Sequence, residues 1–137
     1  MVSTLNTIEE STLLLQTPKE DKTEFYKKVL ALQNELTEKG FEYLMGNHII
    51  IEHSNGEFSY YMHLKTGSVN VKPGDHVKQG EQIAALGQSG MSSEPHLHFQ
   101  LSIKADLLRS RCLPIVFKSL KNKQGNILYG EVVQTEN

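Results

Sequence analysis

The sequence predicts a mainly β protein, an antiparallel sandwich or partly open barrel with a helical or irregular segment at its N-terminus. Three observations carry that prediction. Short apolar runs from residue 46 onward alternate with turn residues at regular spacing. Nine of the ten glycines fall in that stretch. Before it, residues 1–45 are polar and charged, with a helix-period stripe and no glycine until Gly40.

The length of 137 residues fits one domain with a core of its own. The chain divides at about residue 45 into a divergent N-terminal segment and a core over 46–137. In the first segment Thr17-Pro18 reads as a helix entry, because proline suits the first turn. Phe25, Val29, Leu32 and Leu36 then recur at helical spacing, and Gly40 is a stop, which predicts a helix over 19–39. In the core, Ile49-Ile50-Ile51 is a β-branched run and Asn55-Gly56 a hairpin signal. Phe58 to Leu64 alternates, with Phe58, Tyr60 and Met62 on one face and Ser59, Tyr61 and His63 on the other. Pro73-Gly74-Asp75 and Gln79-Gly80 read as turns. Ile83 to Leu86 reads as a short buried strand and 87–95 as a loop. Leu113 to Phe117 and Ile127 to Val133 read as two final strands.

Composition narrows the function classes. The net charge is -2 and no basic stripe runs through the chain, so no nucleic-acid partner is expected. Leu13-Leu14-Leu15 is far too short for a signal peptide core or a membrane span, and the compartment stays unknown. Cys112 is the one cysteine, which excludes an intrachain disulfide and a cysteine-based zinc cluster.

The chemistry concentrates in Ser93-Glu94-Pro95-His96-Leu97-His98-Phe99-Gln100-Leu101. On a strand, His96, His98 and Gln100 point one way and Leu97, Phe99 and Leu101 the other. Two imidazoles side by side suit a metal site or an acid–base pair. His48, His53, His63 and His76 complete the histidines. Of these, His76 falls in a turn, and His53 closes a strand where a structural hydrogen bond is expected.

Five motifs in register carry more than any one of them. They are Gly46-Asn47-His48 through Glu57, Tyr61-Met62-His63-Leu64, Val71-Lys72-Pro73-Gly74-Asp75 through Glu81, Gly87-Gln88-Ser89-Gly90, and Glu94-Pro95-His96-Leu97-His98-Phe99. The chain resembles the lysostaphin-type (LytM-like) zinc metallopeptidases over roughly 46–101, with a weaker continuation to about 133. The resemblance implies the β-rich LytM-like fold and hydrolysis of peptide bonds, commonly in peptidoglycan cross-bridges outside the cytoplasm. It implies zinc as cofactor, His98 as a metal ligand, and His96 and His63 as catalytic residues. The partner it implies is peptide or peptidoglycan.

The family's other two ligands come from an upstream His-x-x-x-Asp motif, which this sequence lacks. Its three aspartates, Asp21, Asp75 and Asp106, are preceded four positions earlier by Thr17, Val71 and Ser102. The expectation is therefore a fragment or a degenerate member, incomplete or inactive as it stands, or a metal-free module that binds peptide or regulates a hydrolase. Substitute carboxylates from Glu9, Glu10 or Glu20 are the third alternative. An open sheet edge left by a missing N-terminal strand is expected to favour a homodimer. The stretch from Val71 to Ile83 also looks like half of a lipoyl or biotinyl carrier motif, but no lysine follows Met91 to carry the group.

Overall fold

The computed structural model describes residues 3–8, 10, 22–115, 120–121 and 134–135. A five-stranded antiparallel sheet orders its strands as β1 (Ser3–Leu5), β2 (Asn47–Glu52), β3 (Phe58–Leu64), β4 (His98–Ser102) and β5 (Cys112–Leu113). The helices α1 (Lys22–Lys39) and α2 (Phe41–Met45) precede β2. A two-stranded ladder joins β6 (Leu120–Lys121) to β7 (Gln134–Thr135). The fold is mainly β, as the sequence predicts. The Thr17-Pro18 entry, the run 116–117 of one expected strand and the Ile127–Val133 strand lie outside the described residues.

The central hairpin follows from its sequence. β2 is β-branched over Ile49–Ile51, and the chain reverses through His53–Glu57, where the His53 amide donates to the Glu57 carbonyl at 2.8 Å. Gly56, at φ 78°, takes the left-handed position that asparagine-glycine turns need. One face of the sheet buries Ile50, Tyr60 and Met62 with Met45 of α2, while Phe41 and Leu107 pack against them. The opposite face buries Ile49 and Leu64 beneath Val69, Val71, Ile83 and Ala84. A third cluster forms where Leu32 and Leu36 of α1 meet Tyr43, Leu44 and Met91.

The structure departs from the sequence expectation around 83–86 and around 96–98. The stretch 83–86 is not a buried strand: it carries single bridge contacts, and Leu86 is 53% exposed. The Ile83 and Ala85 carbonyls accept from the Asn70 and Lys65 amides and the Ala85 amide donates to the Ser68 hydroxyl, too sparsely for a ladder. Nor does the strand expected after the 87–95 loop take in the whole His-x-His motif. β4 starts at His98, and His96 makes an isolated bridge to Gly87. Pro95 lacks the N–H a ladder uses, so the strand forms only after it. Leu97, expected on a buried face, is 43% exposed.

No helix among the described residues is long and apolar enough to cross a membrane.

Candidate active site

The site is built at an irregularity between β2 and β3. Asn47 pairs with Leu64 and Ile49 with Tyr61, so His48 alone opposes both Met62 and His63. That extra residue is a β-bulge, a device that re-aims a side chain. His63 takes φ 60°, the only positive φ outside glycine among the described residues. A left-handed conformation at a bulky residue is uncommon and costs about 1–2 kcal/mol.

The bulge decides which histidines meet. In the ladder, His98 pairs with Met62 and Gln100 with Tyr60. Because the sequence pattern sets His63 opposite Met62, simple alternation would leave His63 and His98 on opposite faces. The turned backbone at His63 removes that separation. The His63 ring lies 4.8 Å from the His96 ring and 5.8 Å from the His98 ring, centroid to centroid. One nitrogen from each of His63, His96 and His98 falls within 4.8 Å of the others.

Hydrogen bonds fix how two of these rings face. His63 Nδ1 lies 2.9 Å from the Ser89 carbonyl, and His96 Nδ1 lies 2.8 Å from the Glu94 carbonyl. A carbonyl can only accept, so each Nδ1 carries the proton and each Nε2 keeps its lone pair. The same device orients metal-bound and catalytic imidazoles generally. The Ser92 hydroxyl also reaches His96 Nδ1 at 3.2 Å. The loop supplying these acceptors is tightly held. The buried Ser89 hydroxyl donates to the Leu64 carbonyl at 2.6 Å and accepts from the Asn47 amide at 2.9 Å. Glycine is required at position 90, where a Cβ would stand 2.4 Å from the Gly46 nitrogen.

Burial favours the neutral form of His63 and His98. It pushes the His63 pKa down to about 4, against the opposing pull of the Ser89 carbonyl; His96 and His98 lower it further. Desolvation also lowers His98, with His96 adding to it and Gln100 opposing. Neutral imidazoles at neutral pH are what a metal ion or an incoming proton needs.

A pH dependence of stability follows. Between the ordinary value of 6.5 and about 4, the unfolded chain holds a proton at His63 that the folded chain does not. Stability is therefore full above about pH 7 and falls on acidification across that window, by on the order of 2–3 kcal/mol. Buried His48, also lowered by desolvation, adds in the same direction. Urea unfolding of chelator-treated protein at pH 7.5 and 4.5 measures the loss. His63→Asn, which tolerates the left-handed backbone, should flatten the slope.

The donor chemistry suits zinc in part. Three imidazoles converge, two with Nδ1 tied to a backbone carbonyl, but no carboxylate among the described residues joins them. The Asp75 carboxylate accepts from the Lys72 amide at 3.0 Å, and Asp106 caps Leu107–Arg109 by accepting from Leu108. Glu10 accepts from the amides of Thr66 and Gln88. Glu9 and Glu20 lie outside the described residues. His53 is spent on the Ser59 hydroxyl, its Nε2 2.8 Å away, and His48 Nδ1 on the Gly46 carbonyl. Cys112 is exposed on β5. A concavity of about 880 Å³ opens on the Tyr61 face, between Ile51, His76 and Ile83, and none of the trio lines it.

Sequence reasoning named the three histidines but not the groups that orient them, Ser89, Ser92 and Glu94. The Gly87-Gln88-Ser89-Gly90 motif was the available signal, since small residues there permit close backbone approach.

The sequence profile of Peptidase family M23 matches residues 24–109. Similar curated proteins include the cell division protein DipM of Caulobacter vibrioides, 37% identical over 70 residues, covering 51% of this chain and 11% of DipM. The peptidoglycan DD-endopeptidase ShyB of Vibrio cholerae is 38% identical over 82 residues, covering 58% of this chain and 18% of ShyB. Lysostaphin of Staphylococcus simulans is 44% identical over 61 residues, covering 44% of this chain and 12% of lysostaphin. The matched region thus spans less than a fifth of each of these relatives.

Proposed function

The chain belongs to peptidase family M23, and from that premise we propose that its histidine trio is the proton-handling side of a zinc endopeptidase centre for peptide bonds in peptidoglycan cross-links. The observation that carries this reading is the convergence of His63, His96 and His98 with Nδ1 of two of them tied to backbone carbonyls.

The roles divide by position. His98, at the start of β4, offers a nitrogen as metal ligand. His96 and His63, with Nδ1 tied to a carbonyl, keep Nε2 available. Each can take a proton there and, once charged, donate to an oxyanion. Zinc, when bound, supplies an acidified water and polarises a carbonyl. The low pKa of His63 keeps its ring neutral at pH 7, with its Nε2 lone pair available. The upstream His-x-x-x-Asp pair is absent from the sequence, so the centre is incomplete as this chain stands. That absence favours a second reading, a metal-free module that binds the same peptides or regulates a hydrolase.

Cross-linked peptide dimers released from cell walls test both readings. With added zinc, slow conversion to monomers is expected by mass spectrometry, reduced at least about 100-fold by His96→Ala. Binding without any conversion assigns the chain to the second reading. Neither binding nor conversion ends the assignment to peptidoglycan.

A further inference from the structure

We propose that Glu10 is a positioning residue for His63, acting through the Gln88–Ser89 backbone. The inference deepens the role given above to His63 and rests on it, but its test does not depend on metal or hydrolysis.

The Glu10 carboxylate bridges two segments that flank the His63 ring. One oxygen accepts from the Thr66 amide at 2.9 Å, three residues after His63. The other accepts from the Gln88 amide, one residue before the Ser89 carbonyl that receives the His63 Nδ1 proton. Glu10 also makes a backbone bridge with Ser89. Between these points the two segments nearly touch. The Gly87 amide donates to the His63 carbonyl at 3.1 Å, and a Cβ on Gly87 would stand 2.4 Å from Lys65 Cα and 2.7 Å from the Glu10 carboxylate.

A charged acceptor between two amides is stronger than a neutral one, and it fixes both at once. The His63 ring is buried against His96 and His98, and the Ser89 carbonyl is the acceptor that faces its Nδ1. The Ser89 hydroxyl stays anchored to Leu64 and Asn47. Release of the Gln88 amide frees the backbone on the other side and lets the Ser89 carbonyl turn away from the ring, weakening the acceptor that selects its tautomer.

The N-terminal arm does not need Glu10 to stay docked. The Asn47 side chain accepts from the Ile8 amide at 2.8 Å and donates to the Ile8 carbonyl at 2.6 Å. Asn6 pairs with the Val69 backbone in both directions. The effect of Glu10 on the ring is thereby separable from attachment of the arm.

The test compares the full chain with Glu10→Gln and Glu10→Ala, metal-free and uniformly 15N-labelled, at pH 7.5. Long-range proton–nitrogen spectra of the imidazoles report which ring nitrogen is protonated. The native chain should show His63 protonated at Nδ1. In both variants that share should fall by about half, because the glutamine amide nitrogen cannot accept from a backbone amide. His48 and His53, tied to Gly46 and Ser59, should keep their native patterns. An unchanged His63 pattern in Glu10→Gln overturns the proposal. So does a parallel change at His48 and His53, which would mark general loss of structure.

Discussion

Gly90→Ala should lower the midpoint of thermal unfolding by about 10 °C or more, from a loss of roughly 3 kcal/mol or greater. Two costs add. Gly90 sits at φ 75°, where an L side chain costs about 1 kcal/mol. A Cβ there would also stand 2.4 Å from the Gly46 nitrogen, 2.6 Å from its Cα and 2.8 Å from the Leu44 carbonyl. All three are backbone atoms, so no side-chain rotation relieves the contact. Gly46 cannot retreat, because its own Cβ position is closed by the Ser89 backbone at 2.4 Å. Gly56→Ala is the matched control. Its φ is 78°, yet nothing lies within 4 Å of the added carbon. It should lose only the conformational part, about 1 kcal/mol. The difference between the variants isolates the close approach that seats the Ser89 loop beneath His63. Equal losses in the two would show that the approach is not tight.

The parts of the fold that were legible in the sequence are those where local chemistry and tertiary packing agree. Ile49–Ile51 and Phe58–Leu64 have the strand composition, and Asn55-Gly56 the reversal, that the β2–β3 hairpin uses. Leu32 and Leu36 mark the buried stripe of α1. The stretch 83–86 misled because its apolar run suits a strand while its neighbours offer only scattered partners. The trio was legible as three histidines in family motifs, but its geometry was not. Alternation is a rule about regular pleat, and a bulge with a left-handed residue breaks it where the site forms. No local signal in Tyr61-Met62-His63-Leu64 announces φ 60°, since the conformation is imposed by the Ser89 and Gly87 contacts from a distant loop. The Glu10 clamp was invisible for the same reason, as 78 residues separate it from Gln88.

His98→Ala should abolish the response of the chain to zinc while leaving its fold intact. His98 is exposed at the start of β4, so the truncation removes little packing and should cost within about 0.5 kcal/mol. A metal that binds only the folded form raises the unfolding midpoint by mass action, worth about 2.7 kcal/mol at a hundredfold excess over its dissociation constant. His96→Ala should retain that rise, because its ring is assigned to proton transfer and is held by Glu94 and Ser92 rather than by metal. The decisive measurement is thermal unfolding of the native chain, His96→Ala and His98→Ala across a zinc titration at pH 7.5. If His98 holds the metal, a zinc-dependent rise is expected in the first two and none in the third. A native chain indifferent to zinc, or a rise that survives His98→Ala, would contradict that assignment.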